Sequence, residues 1–255
     1  MSKINVTAII IAKNEEGMIA DCLDSLQFCS EVLVVDNGSS DNTAEIAKRM
    51  GARVIVSRVH DFSKLRMEGL RHAGEEWVLY VDADERITPE LVVYLRRAIS
   101  KENIVAYKLW RKNFYFGEYE WPFIESLERL FRKEYLEGWH GIVHETPIVK
   151  GAVEQLDGFI LHYTHRDLTS MLRKTIEWSQ IEAKLRFDSG HPLMTWWRFP
   201  RVMFTAFFDS YIRQQGWRLG VVGFIESTYQ GFSMFITYAR LWEMQSDLNS
   251  SKSKN

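Results

Sequence analysis

A short apolar run ends abruptly in acidic residues within the sequence VLYVDADE, residues Val78–Glu85. A run of this length that contains valine and tyrosine is typical of a buried parallel β-strand. Asp82 and Asp84 would then lie where the strand leaves the sheet, which is the edge at which open α/β sheets bind ligands. Paired carboxylates at that edge suit a hard divalent cation that bridges the phosphates of a substrate.

Three earlier apolar segments also end in polar residues. They are Val6–Ala12, followed by Lys13–Glu16; Glu31–Val35, followed by Asp36–Thr43; and Arg53–Val56, followed by Ser57. Helical patterns occupy the gaps, at roughly Glu16–Leu26, Asn42–Met50 and Ser63–Ala73. Asp41 or Asn42, with Glu45, predicts a capped start for the second helix. Strands that alternate with helices of about ten residues predict βαβ units, so the polar residues should meet at one edge of a parallel sheet.

Composition and charge limit the class of protein. A chain of 255 residues can bury a substantial core, as one large domain or as one domain with an appendage. The formal net charge of −2 gives no electrostatic case for binding nucleic acid. Cys22 and Cys29 lack a metal-binding spacing and are interpreted as buried, reduced thiols of a cytosolic protein. Val6–Ala12 is too short for a signal peptide with its flanks.

The polar strand ends resemble the signature of family 2 inverting glycosyltransferases. The resemblance is carried by three motifs in the family's order and spacing: Ala12–Glu16, Asp36–Thr43 and Asp82–Glu85. It continues more loosely through Arg129–Arg132, His140–Glu145 and Leu161–Tyr163, where the chain looks like the bacterial subgroup that adds sugars to the lipopolysaccharide core. The resemblance implies an α/β protein of the GT-A fold. Such a fold is a Rossmann-like, mostly parallel domain that binds a nucleotide sugar, here with a C-terminal helical extension rich in aromatic residues.

The expected domain organisation follows from these motifs and from a change in composition. Residues 1–115 are expected to bind the nucleotide-sugar donor, and residues 116–165 to form the acceptor and catalytic part of the same domain. Residues 166–248 are expected to form the helical extension. Residues 249–255 are polar and are predicted to be a disordered tail.

The resemblance implies a sugar transfer from a nucleotide sugar, most simply a UDP-sugar, to a saccharide of the lipopolysaccharide core or another lipid-linked glycan. Mn²⁺ or Mg²⁺ on the two phosphates would act as a Lewis acid for the leaving group. Asp84, in the DxD motif, is the first candidate for a direct metal ligand, and His162 is a second. Asp82 points to the opposite side of the strand and would reach the ribose or bind the metal through water. The structural alternative is that both carboxylates are solvated loop residues.

Residues after the first two strands and on the third helix are expected to bind the nucleotide. By resemblance, Asp36 would contact a uridine-type base, while Ala12, Asn14 and either Glu15 or Glu16 would flank the base and ribose. The structural alternatives are that Asp36 caps its own turn and that Asn14 and Glu16 cap the next helix. Arg66 matches a basic position that faces the nucleotide in the family, although methionine replaces the asparagine that often follows it.

An inverting transfer needs a general base on the acceptor side of the sugar, and Glu145 is the best candidate. A carboxylate near substrate phosphates and apolar walls could have its pKa raised toward a useful value. Trp139 could stack on a sugar face, although an aromatic residue there is more often part of the core. His144 and His162 could each bind metal or phosphate, against the commoner role of a lone histidine as a structural hydrogen-bonding residue.

The C-terminal third differs in composition from the rest of the chain. Residues 194–242 are dense in aromatic residues and methionine, and glycines at 216, 220 and 223 predict about two helices. The longest uncharged stretch, Ser227–Ala239, is shorter than the roughly 18–20 residues of a spanning helix. The helices are expected either to lie on an anionic membrane surface or to pack on protein, including a second copy in a homo-oligomer. The expected location is the cytoplasm. If the helices lie on a membrane, the protein is expected to be peripheral on the cytoplasmic face of that membrane.

Other classes of protein are weaker matches. A non-catalytic nucleotide-sugar-binding module stays open, as does a GT-A-like nucleotidyltransferase, although the glycine-rich loop usual in the latter is missing before Gly17. A Rossmann oxidoreductase needs G-x-G-x-x-G after the first strand, and the sequence lacks it. A membrane-interface scaffold would leave the acidic strand ends unexplained. The sequence therefore favours an enzyme.

Overall fold

The computed structural model describes residues 2–59, 61–141 and 145–252, with side chains described to residue 247. The chain divides into two compact units. The first contains Met1–Asn113 and Ile124–Tyr163, and the second contains Phe114–Phe123 and Thr164–Asn255. The α/β class and the helical C-terminal region are as predicted from the sequence.

Most of the strands form one large sheet. The strands are β1 (Ile4–Ala12), β2 (Cys29–Asp36), β3 (Arg53–Val56), β4 (Trp77–Asp82), β5 (Glu85–Ile87), β6 (Ala106–Tyr115), β7 (Tyr119–Arg132), β8 (Leu136–His140), β9 (Thr146–Val149) and β10 (Val153–Tyr163). Eight of them pair in the order β3-β2-β1-β4-β7-β6-β10-β5, and β8 pairs with β9 separately. The first four strands in this order are parallel, whereas β4 pairs with β7 and β10 pairs with β5 in the antiparallel sense.

The register of the parallel strands brings their polar ends to one edge of the sheet. Ala12 at the end of β1 pairs with Asp36 at the end of β2. On the other side of β1, Ile11 pairs with Asp82 at the end of β4. The two acidic residues therefore flank the same strand end, as the sequence predicts for βαβ units.

Four helices cover this sheet: α1 (Ile19–Ser25), α2 (Thr43–Arg49), α3 (Phe62–His72) and α4 (Pro89–Ala98). Ile10 and Leu79 belong to the apolar layer that includes α1, α2 and α4, and Ile9 and Tyr80 belong to the layer that includes α3. Helix α3 approaches β1 so closely that a Cβ atom on Gly69 would lie 2.4 Å from Cγ2 of Ile9. Burial on both faces explains the continuous apolar runs of these strands. Cys22 and Cys29 are buried free thiols, as predicted.

The second unit is mainly helical. It contains α5 (Leu168–Asp188), α6 (Arg198–Phe208) and α7 (Gly220–Lys252). A π-helical turn at Asp209–Arg213 and a 3₁₀ turn at Gly216–Leu219 join α6 to α7, so the chain breaks near the glycines that predict a break. Helix α7 extends to Lys252, four residues into the predicted tail, and residues 253–255 lie outside the described part. In the ranges described, no helix combines the length and apolarity needed to cross a bilayer.

Candidate active site

The loops after β1 and β2 are held together by Asn14. Its side-chain Oδ1 accepts a hydrogen bond from the backbone N–H of Ser40 at 2.8 Å, and its own N–H donates to Oγ of Ser39 at 2.9 Å. Asn14 has a φ of +56°, a left-handed conformation that asparagine tolerates better than most residues. The residue predicted to flank the nucleotide therefore links two loops at the sheet edge.

Glu16 makes a second link between the same loops. Its Oε2 accepts from the backbone N–H of Asn42 at 3.1 Å, and its own N–H donates to Oδ2 of Asp41 at 3.1 Å. Asp41, rather than Asn42, accepts the bond from the N–H of Thr43 at the start of α2. Glu16 thus bonds to the loop before α2, whereas the structural alternative had it capping the helix that follows it in sequence.

Asp36 is 3% exposed and organises the turn after β2. Oδ1 accepts from the hydroxyl of Ser39 at 2.5 Å, and both carboxylate oxygens lie 3.3 Å from the backbone N of Ser39. The turn-capping role that the sequence offers as an alternative is therefore present. Ala12, which pairs with Asp36 on the adjacent strand, is also buried. Ala12 and Asp36 therefore lie beneath the two loops at this edge of the sheet.

Glu85 is fully buried and fixes the acidic turn after β4. Its Oε2 accepts from the backbone N–H of Asp82 at 2.9 Å. Its Oε1 accepts from Arg129 at 2.7 Å and from Arg111 at 3.0 Å. Two arginines balance a carboxylate that could not otherwise be buried in ionised form. Neither Glu85 nor Arg129 was predicted as part of the site, although Glu85 ends the acidic motif and Arg129 lies in the looser part of the resemblance.

Asp82 lies between two guanidinium groups. Its Oδ2 is 2.7 Å from Nη2 of Arg129, and its Oδ1 is 3.6 Å from Nη2 of Arg66. Burial alone would raise the pKa of this carboxyl, but the two arginines hold it well below its usual range. Burial works against the charge of Arg129 too, yet Asp82 and Glu85 raise the pKa of its guanidinium. Asp82 therefore carries a full negative charge at neutral pH.

Arg66 of α3 joins the acidic turn to the predicted base. Its Nε donates to Oε1 of Glu145 at 2.7 Å, and both side chains are 10% exposed. The guanidinium lies over the ring of Trp139 at 4.8 Å and over that of Tyr80 at 5.4 Å. Trp139 thus lines the site by stacking on an arginine. His144, the other candidate in this segment, lies outside the described residues.

Asp84 and His162 meet beside the acidic turn. Strand β10 pairs with β5 so that His162 lies opposite Glu85, and Oδ2 of Asp84 is 3.4 Å from Nε2 of His162. The other ring nitrogen, Nδ1, is 2.7 Å from Oδ1 of Asn113. Across the residues that the structure describes, no group of three or more His, Cys, Asp or Glu side chains is arranged to hold a metal ion.

Glu125 on β7 completes the polar surroundings of this pair. Its Oε2 accepts from Nε and Nη2 of Arg111, at 2.9 and 2.6 Å, and from Nδ2 of Asn113 at 3.0 Å. Burial would raise the pKa of Glu125, but Arg111 and the bond from Asn113 lower it below its usual value. Arg111, Asn113 and Glu125 were not predictable from the sequence, because they lie on antiparallel strands and form no motif of fixed spacing.

An α/β domain whose parallel strands end in a DxD turn and two joined polar loops is a GT-A nucleotide-sugar-binding domain. The chain belongs to glycosyl transferase family 2, whose model matches residues 7–156. The family and fold predicted from the sequence are thereby confirmed.

Two relatives that are named as glycosyltransferases align with this chain over most of their length. The lipopolysaccharide core biosynthesis glycosyltransferase LpsC of Rhizobium meliloti is 27% identical over 259 residues, which cover 94% of this chain and 93% of LpsC. An uncharacterised glycosyltransferase of Rickettsia typhi is 27% identical over 255 residues, covering 94% and 87%. Among solved structures, glucosyl-3-phosphoglycerate synthase from Mycobacterium tuberculosis in complex with Mn²⁺, UDP and glucosyl-3-phosphoglycerate aligns with a TM-score of 0.47 and 19% identity, over 73% of this chain and 80% of that one.

Proposed function

We propose that this glycosyltransferase is an inverting, metal-dependent enzyme. Its donor would be a UDP-sugar, and its acceptor a saccharide of the lipopolysaccharide core or another lipid-linked glycan. The observation that carries the proposal is that Arg66 contacts both Glu145 and Asp82, which connects the candidate base to the DxD turn. The acceptor class is supported by LpsC, whose name assigns it to lipopolysaccharide core biosynthesis.

In an inverting transfer, the acceptor hydroxyl attacks the anomeric carbon from the face opposite the nucleoside diphosphate. Glu145 would accept the proton of that hydroxyl as the new glycosidic bond forms and the bond to UDP breaks. Arg66 holds the Glu145 carboxylate through Nε at 2.7 Å, which fixes the direction of its oxygens. Proton transfer to a base positioned in this way would contribute about 10²–10⁴-fold to the rate.

Asp84 and His162 are the residues proposed to hold the cation. A carboxylate oxygen and an imidazole nitrogen 3.4 Å apart could both bind Mn²⁺, whereas Mg²⁺ would bind mainly through the carboxylate; two protein ligands leave coordination positions for phosphate oxygens and water. When bound, the ion would supply charge neutralisation for the departing diphosphate. Asp82, ionised between Arg129 and Arg66, would face the ribose or bind a metal-coordinated water.

The nucleotide is proposed to lie against the joined loops after β1 and β2. Asp36 would accept from the uracil ring, and Asn14 and Glu16 would keep the loop backbone in place beside Ala12. Arg66 would lie near the diphosphate and add positive charge beside it. In this proposal Asn14 and Glu16 hold the backbone of the two loops in position, while Asp36 contacts the base directly.

A panel of UDP-, GDP- and ADP-sugars tests the donor assignment. The preferred nucleotide, with Mn²⁺, should stabilise the protein by about 2.7 kcal/mol at a hundredfold excess over its Kd. Hydrolysis or transfer should appear with that donor alone. Binding without turnover in the presence of lipopolysaccharide-core acceptors would favour a non-catalytic nucleotide-sugar-binding module instead. Transfer of a nucleotidyl group would favour a nucleotidyltransferase.

The region around α6 is proposed to bind an anionic membrane, where a lipid-linked acceptor would be anchored. Trp196, Phe204 and Val221 are 82%, 68% and 75% exposed, which is unusual for large apolar side chains. Between residues 196 and 225 the charged residues are four arginines and one aspartate: Arg198, Arg201, Arg213, Arg218 and Asp209. Exposed aromatic residues with excess arginine match an anionic lipid surface, because each basic residue contributes about 1 kcal/mol there.

A further inference from the structure

His162 is held by a different partner at each ring nitrogen. Nδ1 lies 2.7 Å from Oδ1 of Asn113, and Nε2 lies 3.4 Å from Oδ2 of Asp84. Asn113 is 5% exposed and the His162 side chain is 14% exposed, so water competes weakly for these contacts. The protonation pattern of the ring therefore depends on what Asn113 presents to Nδ1.

Glu125 determines which end of the Asn113 amide faces His162. An ionised carboxylate only accepts hydrogen bonds, so the group 3.0 Å from Oε2 of Glu125 must be the NH₂ of Asn113. The amide oxygen then faces Nδ1 of His162, and a carbonyl oxygen only accepts. Arg111 holds Glu125 through two N–H groups, at 2.9 and 2.6 Å, which keeps the carboxylate in place.

The consequence is a fixed tautomer of His162. If Nδ1 must donate to Asn113, the neutral ring carries its lone pair on Nε2, directed toward Asp84. A nitrogen lone pair and a carboxylate oxygen at 3.4 Å are two donors suited to one cation. Histidines that bind metals commonly donate their second N–H to a carbonyl or carboxylate in this way.

We propose that Asn113, oriented by Glu125, is a positioning residue that prepares His162 to bind the cation through Nε2. The inference rests on the proposed metal-dependent function and deepens it. It assigns roles to two residues that touch neither the donor nor the cation. It also predicts that the tautomer is set before any metal binds.

The first test is NMR of ¹⁵N-labelled imidazole in the metal-free full-length protein. Wild-type His162 should carry its proton on Nδ1, with an unprotonated Nε2, at a pH where the ring is neutral. Asn113→Leu removes the acceptor and should shift the population toward the other tautomer or a mixture. A wild-type ring protonated on Nε2 and bare on Nδ1 would overturn the inference.

The second test measures Mn²⁺ affinity by electron paramagnetic resonance of the free ion. Asn113→Leu should weaken binding by about 10–100-fold, the usual effect of losing an outer-shell partner. The double variant Asn113→Asp with Glu125→Gln keeps an oxygen acceptor for Nδ1 and an NH₂ donor between positions 125 and 113, and it should retain most of the affinity. Ser126→Ala is the matched control, because it removes an exposed hydrogen bond between Ser126 of β7 and Gln155 of β10 and should leave Mn²⁺ affinity unchanged.

The outcomes separate this inference from the proposed function. Mn²⁺ binding that depends on Asp84 but is equal in wild type and Asn113→Leu would refute the positioning role and leave metal dependence standing. Equal losses in Asn113→Leu and in the double variant Asn113→Asp with Glu125→Gln, with an unchanged tautomer, would also refute it, because that pattern indicates a packing role. Absence of Mn²⁺ binding by the wild type would overturn the proposed metal dependence and this inference with it.

Discussion

Arg66 donates its Nε–H to Glu145 at 2.7 Å, although the two residues are 79 positions apart in the chain. The same guanidinium lies 3.6 Å from Asp82 and stacks on Trp139. One side chain of α3 thus contacts the end of β4 and the segment before β9. A change at Arg66 is therefore expected to act on both carboxylates together.

Arg66→Gln should lower the free energy of unfolding by about 3 kcal/mol, because removing one partner leaves a mostly buried carboxylate without its cation. Urea denaturation of the full-length protein measures this difference. Arg71→Gln on the same helix is the control, since the pair of Arg71 with Glu68 is 69% and 30% exposed and should contribute little. Equal stability of the two variants would argue against a structural role for the pair of Arg66 and Glu145.

Glu145→Gln keeps the size of the side chain but cannot accept the acceptor's proton. Transfer should fall by about 10²–10⁴-fold while donor affinity is retained. Initial rates and donor binding by calorimetry measure the two effects separately. Glu137→Gln, on an exposed position of β8, should behave as wild type. A collapse of donor affinity would instead make Glu145 a binding residue.

Asp84→Ala should abolish transfer, and EDTA should do the same to the wild type until Mn²⁺ or Mg²⁺ is restored. The reason is that the proposed cation neutralises the departing diphosphate. Asp157→Ala, an exposed change on β10, serves as the control. Full activity in EDTA would exclude a metal-dependent transfer.

Glu125 should contribute to stability in a pH-dependent way. Its folded-state pKa lies below the ordinary value of 4.5, so its ionised form favours the folded protein. That contribution is fully present above about pH 4.5 and is lost as the pH falls through the folded-state pKa. Glu125→Gln should therefore flatten the loss of stability in acid, measured as urea midpoints between about pH 3 and 6. An unchanged acid slope would mean that Glu125 is equally ionised in the unfolded chain.

The protein should float with anionic liposomes at low salt and dissociate as salt is raised, because screening weakens the contribution of the arginines. The double variant Trp196→Glu and Phe204→Glu should remain unbound. Val93→Glu, at an apolar position of α4 that is 43% exposed, is the matched control and should still float. Failure of the wild type to float, with concentration-dependent dimers in solution, would assign the α6 region to a second copy of the chain.

The parallel half of the fold was predictable from the sequence because its information is local. Strands such as Val78–Val81 are continuous apolar runs, and turn residues mark where each one ends. Since parallel strands joined by helices run in one direction, their ends had to meet at one edge. The observed β4, Trp77–Asp82, extends the predicted run by one residue at each end.

The partners of these residues were not predictable, because they depend on pairing between distant segments. Glu85 lies 44 residues from Arg129 and 26 from Arg111, and no spacing rule links them. Asn113 and His162 are 49 residues apart and meet only because of the antiparallel half of the sheet. The sequence could indicate that Asp84 and His162 are chemically suited to a cation, but not which side chain orients the imidazole.

The hydrogen bonds between the loops after β1 and β2 have a consequence for the thermodynamics of binding. Asn14 and Glu16 restrict the backbone of both loops when the chain folds, so their conformational entropy is already lost before a ligand arrives. A nucleotide that binds there would meet preorganised atoms and would order little of the protein itself. Binding is then expected to show a heat-capacity change that reflects only the surface buried by the ligand, without the larger signature of coupled loop folding.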